Sequence, residues 1–202
     1  MASQGPLTGT TASVPTGVGN DYDWDFPTNA AVDDGGIARA DLSCTGAWSG
    51  RSFYLDSTGH SFTIPGNATI TGILVEVKKY AGSMNSVLYD ATLRLLKAGA
   101  VSGADKASGS YWSGMPGYTL YGGPLDMWGT TWTPAQVNAA TFGIRLQAAD
   151  AGCDADIIPP DNEHMAQVDA MRITVTYTEP PPSVAVADRG CRPAMCRALM
   201  LP

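Results

Sequence analysis

The sequence predicts an all-β fold, an antiparallel β-sandwich with the wiring of a jelly roll. Three observations lead to this prediction: apolar and polar residues alternate in several segments, 23 glycines and 14 prolines supply turns between them, and only one short segment carries helix signals. With 202 residues, 44% of them hydrophobic, the chain is long enough for one well-packed domain. An immunoglobulin-like sandwich is the alternative, but its Cys–Trp–Cys spacing is missing.

The clearest strand lies in residues 68–80, where Ile73, Val75 and Val77 lie on one face and Glu76, Lys78 and Tyr80 on the other. A period of two is typical of a half-buried antiparallel strand. In the last strand, strict alternation places Val168 on one face and Met171 on the other. Residues 87–97 are compatible with a helix as well as a strand. The predicted strands are residues 37–42, 51–55, 61–64, 68–80, 87–97, 118–121, 142–148 and 166–178.

One short helix is predicted near residues 133–140. Thr133 is a good N-cap residue, and Pro134 suits the first helical position, where its missing N–H costs no hydrogen bond. Such a helix lasts about two turns before the next strand begins.

The chain divides into three parts. Residues 1–20 are polar and predict an N-terminal extended arm or an edge strand, residues 21–179 form the sandwich domain, and residues 180–202 are a proline-rich spacer followed by a basic and apolar tail. A tail of this composition suits docking onto a partner surface. The residues expected to make that contact are Arg189, Arg192, Arg197, Leu199 and Leu201.

Charge and hydropathy exclude some partners. The formal net charge is −7, which disfavours nucleic acid because phosphate binding requires clustered Lys and Arg. No apolar run is long enough to span a membrane, so no membrane partner is expected. The first residues lack the basic and apolar regions of a secretion signal, so we expect synthesis in the cytosol and reduced cysteines.

Three aspartates at alternate positions are a candidate metal site. Asp21, Asp23 and Asp25 offer the oxygen ligands that Ca²⁺ prefers, but the residues after them do not follow the EF-hand pattern. A solvated acidic loop is the simpler interpretation, and Ca²⁺ is the one cofactor that the sequence leaves open. No catalytic motif is present, so we expect no enzymatic activity.

Aromatic residues in loops are the other candidate contacts. Tyr111 and Trp112 lie together in a Gly/Ser-rich loop, where they are suited to bind a glycan or a protein partner. Trp128 and Trp132 lie close to the predicted helix, and the simpler interpretation is that they close the edge of the sandwich.

Several segments together resemble a known kind of module. IPGNATITGILVEVKKY, LRLLKAGAVSGADKA, YTLYGGPLDMWGTTWTPAQVNAATFGIRLQAAD and AQVDAMRITVTYT are similar to a β-sandwich found in virion proteins of tailed bacteriophages, over roughly residues 21–178. YGGPLDMWG followed by TPAQVNAATFG is the most specific part.

This resemblance implies a structural virion protein, made in the host cytoplasm and assembled into the particle. A capsid decoration (cement) or head-fibre protein is expected, docked through its terminal arms to the major capsid protein or to tail components, as a homo-oligomer. The alternative is a carbohydrate-binding module of a tail fibre or tail tip that attaches to host surface glycans.

Overall fold

The computed structural model describes residues 1–15, 22–42, 50–83, 86–152 and 164–180. Asp21, the docking tail with Arg189, Arg192, Arg197, Leu199 and Leu201, and all four cysteines lie outside these residues. Within the described ranges, no helix is long and apolar enough to cross a membrane.

Two antiparallel sheets form a sandwich, as the sequence predicts. The strands are β1 (Ala2–Thr8), β2 (Thr11–Ser13), β3 (Ala38–Asp41), β4 (Leu55–Thr58), β5 (Thr69–Ala81), β6 (Leu88–Lys97), β7 (Ala100–Ser102), β8 (Gly117–Gly123), β9 (Gly143–Asp150) and β10 (Met165–Thr178). Sheet A has the order β1-β10-β5-β8, with β3 also paired to β10, and sheet B has the order β2-β4-β9-β6-β7. Successive long strands alternate between the sheets, which is the wiring of a jelly roll.

The core lies between the sheets and follows the predicted alternation. Ile73 and Val75 of β5 are fully buried, and Ile144 and Leu146 of β9 are buried from the opposite sheet. Trp128 and Trp132 are buried as well, which confirms that they close the sandwich.

A close contact explains one glycine beside Trp128. The Trp128 indole Nε1 donates to the Ile73 carbonyl at 2.9 Å. Gly122 has a φ of +78°, and a Cβ there would collide with that carbonyl and with the indole nitrogen.

The predicted helix is present but short. Helix α1 (Pro134–Val137) begins after Thr133, whose side chain accepts a hydrogen bond from the Gln136 backbone N–H. The Gln136 side chain accepts in return from the Thr133 N–H at 3.0 Å, which completes a capping box.

The described N-terminal residues form edge strands, which is the second of the two alternatives predicted for residues 1–20. β1 pairs with β10, and β2 pairs with β4. The chain crosses from one sheet to the other at Gly9, where a Cβ would collide with the Ser57 side chain and the Thr58 carbonyl. Residues 1–15 therefore belong to the sandwich.

A β-bulge in β10 corrects the predicted face of Val168. Val168 pairs with Lys79, whereas Ala170 already pairs with Lys78, so Asp169 is an extra residue. The bulge reverses the alternation, and both Val168 and Met171 consequently point into the core.

Candidate ligand pocket

An open cavity of about 340 Å³ lies where residues 108–119 fold over the end of β5. The loop is pinned to both sheets, because Trp112 N–H donates to the Leu88 carbonyl at 2.7 Å and Ala81 N–H donates to the Ser113 carbonyl at 2.8 Å. A volume of this size is at the small end for ligand pockets. The lining residues are Lys79, Ser108, Ser110, Tyr111, Trp112, Ser113, Met115, Pro116, Gly117, Tyr118 and Thr119.

A buried polar cluster supports the floor of this pocket. Asp90 Oδ1 accepts hydrogen bonds from the Lys79 ammonium and from Trp112 Nε1, and Oδ2 accepts from the Tyr121 hydroxyl at 2.7 Å and from Ser108 N–H at 3.1 Å. Four donors satisfy the carboxylate, so a charge that is costly to bury is compensated. The cluster fixes the Trp112 ring and the start of the loop.

Lys79 is the charged residue of this cluster that also lines the cavity, and it is buried. Its Nζ also donates to the Tyr121 hydroxyl at 2.6 Å and lies 4.6 Å from the centre of the Trp112 ring. Burial lowers the pKa of Lys79, and the neighbouring Asp90 carboxylate acts against that shift. Burial raises the pKa of Tyr121, and the adjacent carboxylate raises it further.

Tyr118 forms one wall and is held from outside the pocket. Its hydroxyl donates to Asp33 Oδ2 at 2.6 Å, and the Arg172 guanidinium lies 3.7 Å from the centre of its ring. Burial and the hydrogen bond to Asp33 raise the pKa of Tyr118 to about 12, so it remains a donor. The Lys78 ammonium, which donates to Asp33 at 2.6 Å, lowers the pKa of that aspartate.

Tyr111 and Trp112 both line the pocket but differ in exposure. Tyr111 is 59% exposed at the rim, as a contact residue requires. Trp112 is only 5% exposed, because its indole N–H is bound to Asp90 and its ring packs in the core. Trp112 therefore forms part of the pocket wall while Tyr111 faces the solvent, and the glycan or partner contact of both residues stays a prediction.

The lining contains hydroxyl groups, aromatic rings and one ammonium, but no carboxylate among the described residues. Glycoside hydrolysis commonly requires two carboxyl groups flanking the bond that is cleaved. The chemistry that this arrangement offers is hydrogen bonding and ring stacking.

The described part of the predicted calcium loop does not converge on one point. Asp23 Oδ1 accepts from the Trp24 N–H at 2.8 Å, and Asp25 faces Arg39 at 3.5 Å. Within the described ranges, no group of three or more metal-ligating side chains is found. Because Asp21 lies outside those ranges, calcium binding there stays a prediction.

Three buried partners were not predicted from the sequence: Lys79, Asp90 and Tyr121. A signal existed for Lys79, since it continues the inward positions of Ile73 and Val75 at a period of two. No comparable signal existed for Asp90, because a bulge between Asp90 and Thr92 reverses the faces of β6.

Comparison with known proteins leaves the family open. No protein-family model matches the chain, and no curated protein matches it. Among solved structures, the chain is similar to the second N-terminal cellulose-binding domain of β-1,4-glucanase C from Cellulomonas fimi, determined by NMR. The identity is 12%, the match covers 86% of this chain and 94% of that domain, and the TM-score is 0.41. At this identity, binding residues cannot be transferred from that domain to this chain.

Proposed function

We propose that this β-sandwich is a non-catalytic carbohydrate-binding module that takes a sugar residue into the cavity formed by residues 108–119. The observation that carries the proposal is the composition of the lining, where the exposed Tyr111 lies among serine and threonine residues and beside the buried Trp112. Sugars present both C–H faces, which pack on aromatic rings, and hydroxyls, which need hydrogen-bonding partners.

Hydrogen bonds hold the aromatic side chains of the pocket in place. Trp112 and Tyr118 are each fixed by a carboxylate, Asp90 from below and Asp33 from the side. A preorganised pocket loses little conformational entropy when a ligand binds. In the context that the resemblance to phage virion modules implies, the ligand is a glycan of the host surface.

Binding to a glycan array, followed by calorimetry with the best oligosaccharide, tests this proposal. Tyr111→Ala is expected to weaken binding about tenfold or more, because it removes the exposed stacking ring. Phe26→Ala is the matched control, since Phe26 is also 59% exposed but is not part of the pocket lining. The proposal fails if the wild-type protein binds no glycan, or if both variants lose affinity equally.

A structural role in the virion, as a decoration or head-fibre protein, is the second candidate. The observation that favours it is a pair of exposed apolar side chains at the edge of sheet A: Leu120 of β8 is 60% exposed, and Leu125, two residues after β8 ends, is 71% exposed. We propose that these two side chains contact another virion protein.

Co-sedimentation with purified phage particles tests this second role. A chain that lacks residues 180–202 and a Leu120→Asp variant are each expected to bind particles less than the wild-type chain does. Undiminished binding by both variants would rule out docking through the tail and through β8.

A further inference from the structure

The outer face of sheet B carries three arginines. Arg94 of β6 and Arg145 of β9 are direct cross-strand partners, on the side of the sheet opposite the buried Ile144 and Leu146. Arg51 pairs with Ala149, four positions along β9 from Arg145. Since alternate residues of a strand share a face, Arg51 lies on the same outer side. We call Arg51, Arg94 and Arg145 the arginine face.

This face has more positive charge than its carboxylate can neutralise. Asp56 binds Arg145 in a bidentate pair, with distances of 2.7 and 2.6 Å to Nε and Nη2. Arg94 donates to the Gly103 carbonyl at 2.5 Å, and its Nε is buried without a partner in the described part of the chain. Arg51 is exposed, and within the described residues neither it nor Arg94 forms an ion pair with a carboxylate.

Most other Lys and Arg side chains of the described residues do form an ion pair with a carboxylate. Each of the following contacts a carboxylate: Arg39, Lys78, Lys79, Lys106 and Arg172. The exception, Lys97, donates to the Thr131 carbonyl and lies over the Trp132 ring. Like charges on directly opposed residues are destabilising, and Asp56, which pairs with Arg145, offsets only part of the repulsion between Arg94 and Arg145.

Aromatic rings accompany the arginines along this face. The Tyr54 ring lies under the Arg145 guanidinium, 4.7 Å from its centre, and Tyr89 is the cross-strand partner of Ala149 next to Arg51. Four residues along a strand span about 13 Å, so the arginines are distributed along a length and do not converge on one point. An extended polymer fits this arrangement better than a single small anion does.

We infer that the arginine face binds an anionic polysaccharide whose carboxylates pair with Arg51 and Arg94 and whose rings pack on the tyrosines. Charge complementarity selects an anion, because Arg51 is exposed without a carboxylate partner among the described residues and guanidinium pairs well with carboxylate. This site is separate from the pocket of Tyr111.

Affinity electrophoresis in gels containing polygalacturonate, with neutral dextran as the comparison, tests this inference. The wild-type protein is expected to be retarded only by the anionic polymer, and less so as salt increases. Arg51→Gln and Arg94→Gln are each expected to weaken binding about tenfold, because each loses a charge-assisted hydrogen bond. Arg39→Gln is the matched control, as it removes a cation from sheet A.

The outcomes separate this site from the pocket and from other anions. Tyr111→Ala is expected to retain binding to polygalacturonate, and loss in that variant would overturn the assignment. Equal retardation by dextran, equal loss in Arg39→Gln, or equally strong binding of polyglutamate or single-stranded DNA would also overturn it. Thermal unfolding of each variant, together with the charge-conserving Arg94→Lys variant, distinguishes loss of binding from loss of folding. Because Arg51 is exposed, Arg51→Gln tests the arginine face at a surface position.

Discussion

Neighbouring residues in one loop have opposite environments. Tyr111 points into solvent, whereas Trp112 is fixed in the core by Asp90. Both were predicted as contact residues because their type and loop position are equivalent in the sequence. The two residues differ because the Trp112 indole N–H donates to the buried Asp90 of β6. Local sequence does not show that this acceptor is within reach.

His60 predicts a dependence of stability on pH. It is buried, with Nδ1 2.9 Å from the Leu7 carbonyl, and burial lowers its pKa. As the pH falls below about 6.5, the unfolded chain takes up a proton that the folded protein resists, so stability is full above that pH and declines below it. Urea unfolding at about pH 7.5 and about pH 5.5 should show this decline, by up to about 1.4 kcal/mol per pH unit.

His60→Gln is expected to remove that part of the decline. If the free energy of unfolding of the variant depends on pH as strongly as that of the wild-type protein, groups other than His60 cause the decline.

At the scale of elements, local sequence signals predicted the helix start correctly, whereas the β-bulges were not predicted. Thr133 and Pro134 predicted the start of α1, because a cap depends on residues close in sequence. The face of Val168 was predicted incorrectly, because a bulge at Asp169 reversed the alternation. The extra residue is accommodated by contacts from other segments, since Asp169 pairs with Lys78 and accepts from Gly35 N–H.

The N-terminal strand also could not be assigned from local sequence alone. Residues 1–20 were open to two interpretations, an arm or an edge strand, because their polar composition suits both. Pairing of β1 with β10 resolves the described part in favour of the edge strand. The choice depends on an open edge of sheet A, which exists only once the sheet has formed.

At the scale of the whole molecule, one polar cluster joins the two sheets. Asp90 belongs to β6 of sheet B, and Lys79 and Tyr121 belong to β5 and β8 of sheet A. A buried charge is tolerated while its partner is present and becomes costly when the partner is removed.

Asp90→Asn is therefore expected to lower the free energy of unfolding by about 3 kcal/mol. The double variant Lys79→Met/Asp90→Asn should recover part of that loss, since it leaves no uncompensated charge between the sheets and the asparagine amide oxygen still accepts from the neighbouring donors. Arg39→Met, which breaks an exposed pair, should cost less than about 1 kcal/mol. Urea unfolding measures all three, and a double variant less stable than Asp90→Asn would contradict this account.

The sequence by itself determined the all-β class, the main strands, the helix start and the burial of Trp128 and Trp132, because these follow from alternation, turn residues and capping. The tertiary structure decided which polar residues meet. Lys79, Asp90 and Trp112 come from two strands and a loop, and they converge only after bulges and register have set each face. Sheet register depends on contacts between distant segments, so neither the pocket nor the arginine face could be predicted from local patterns.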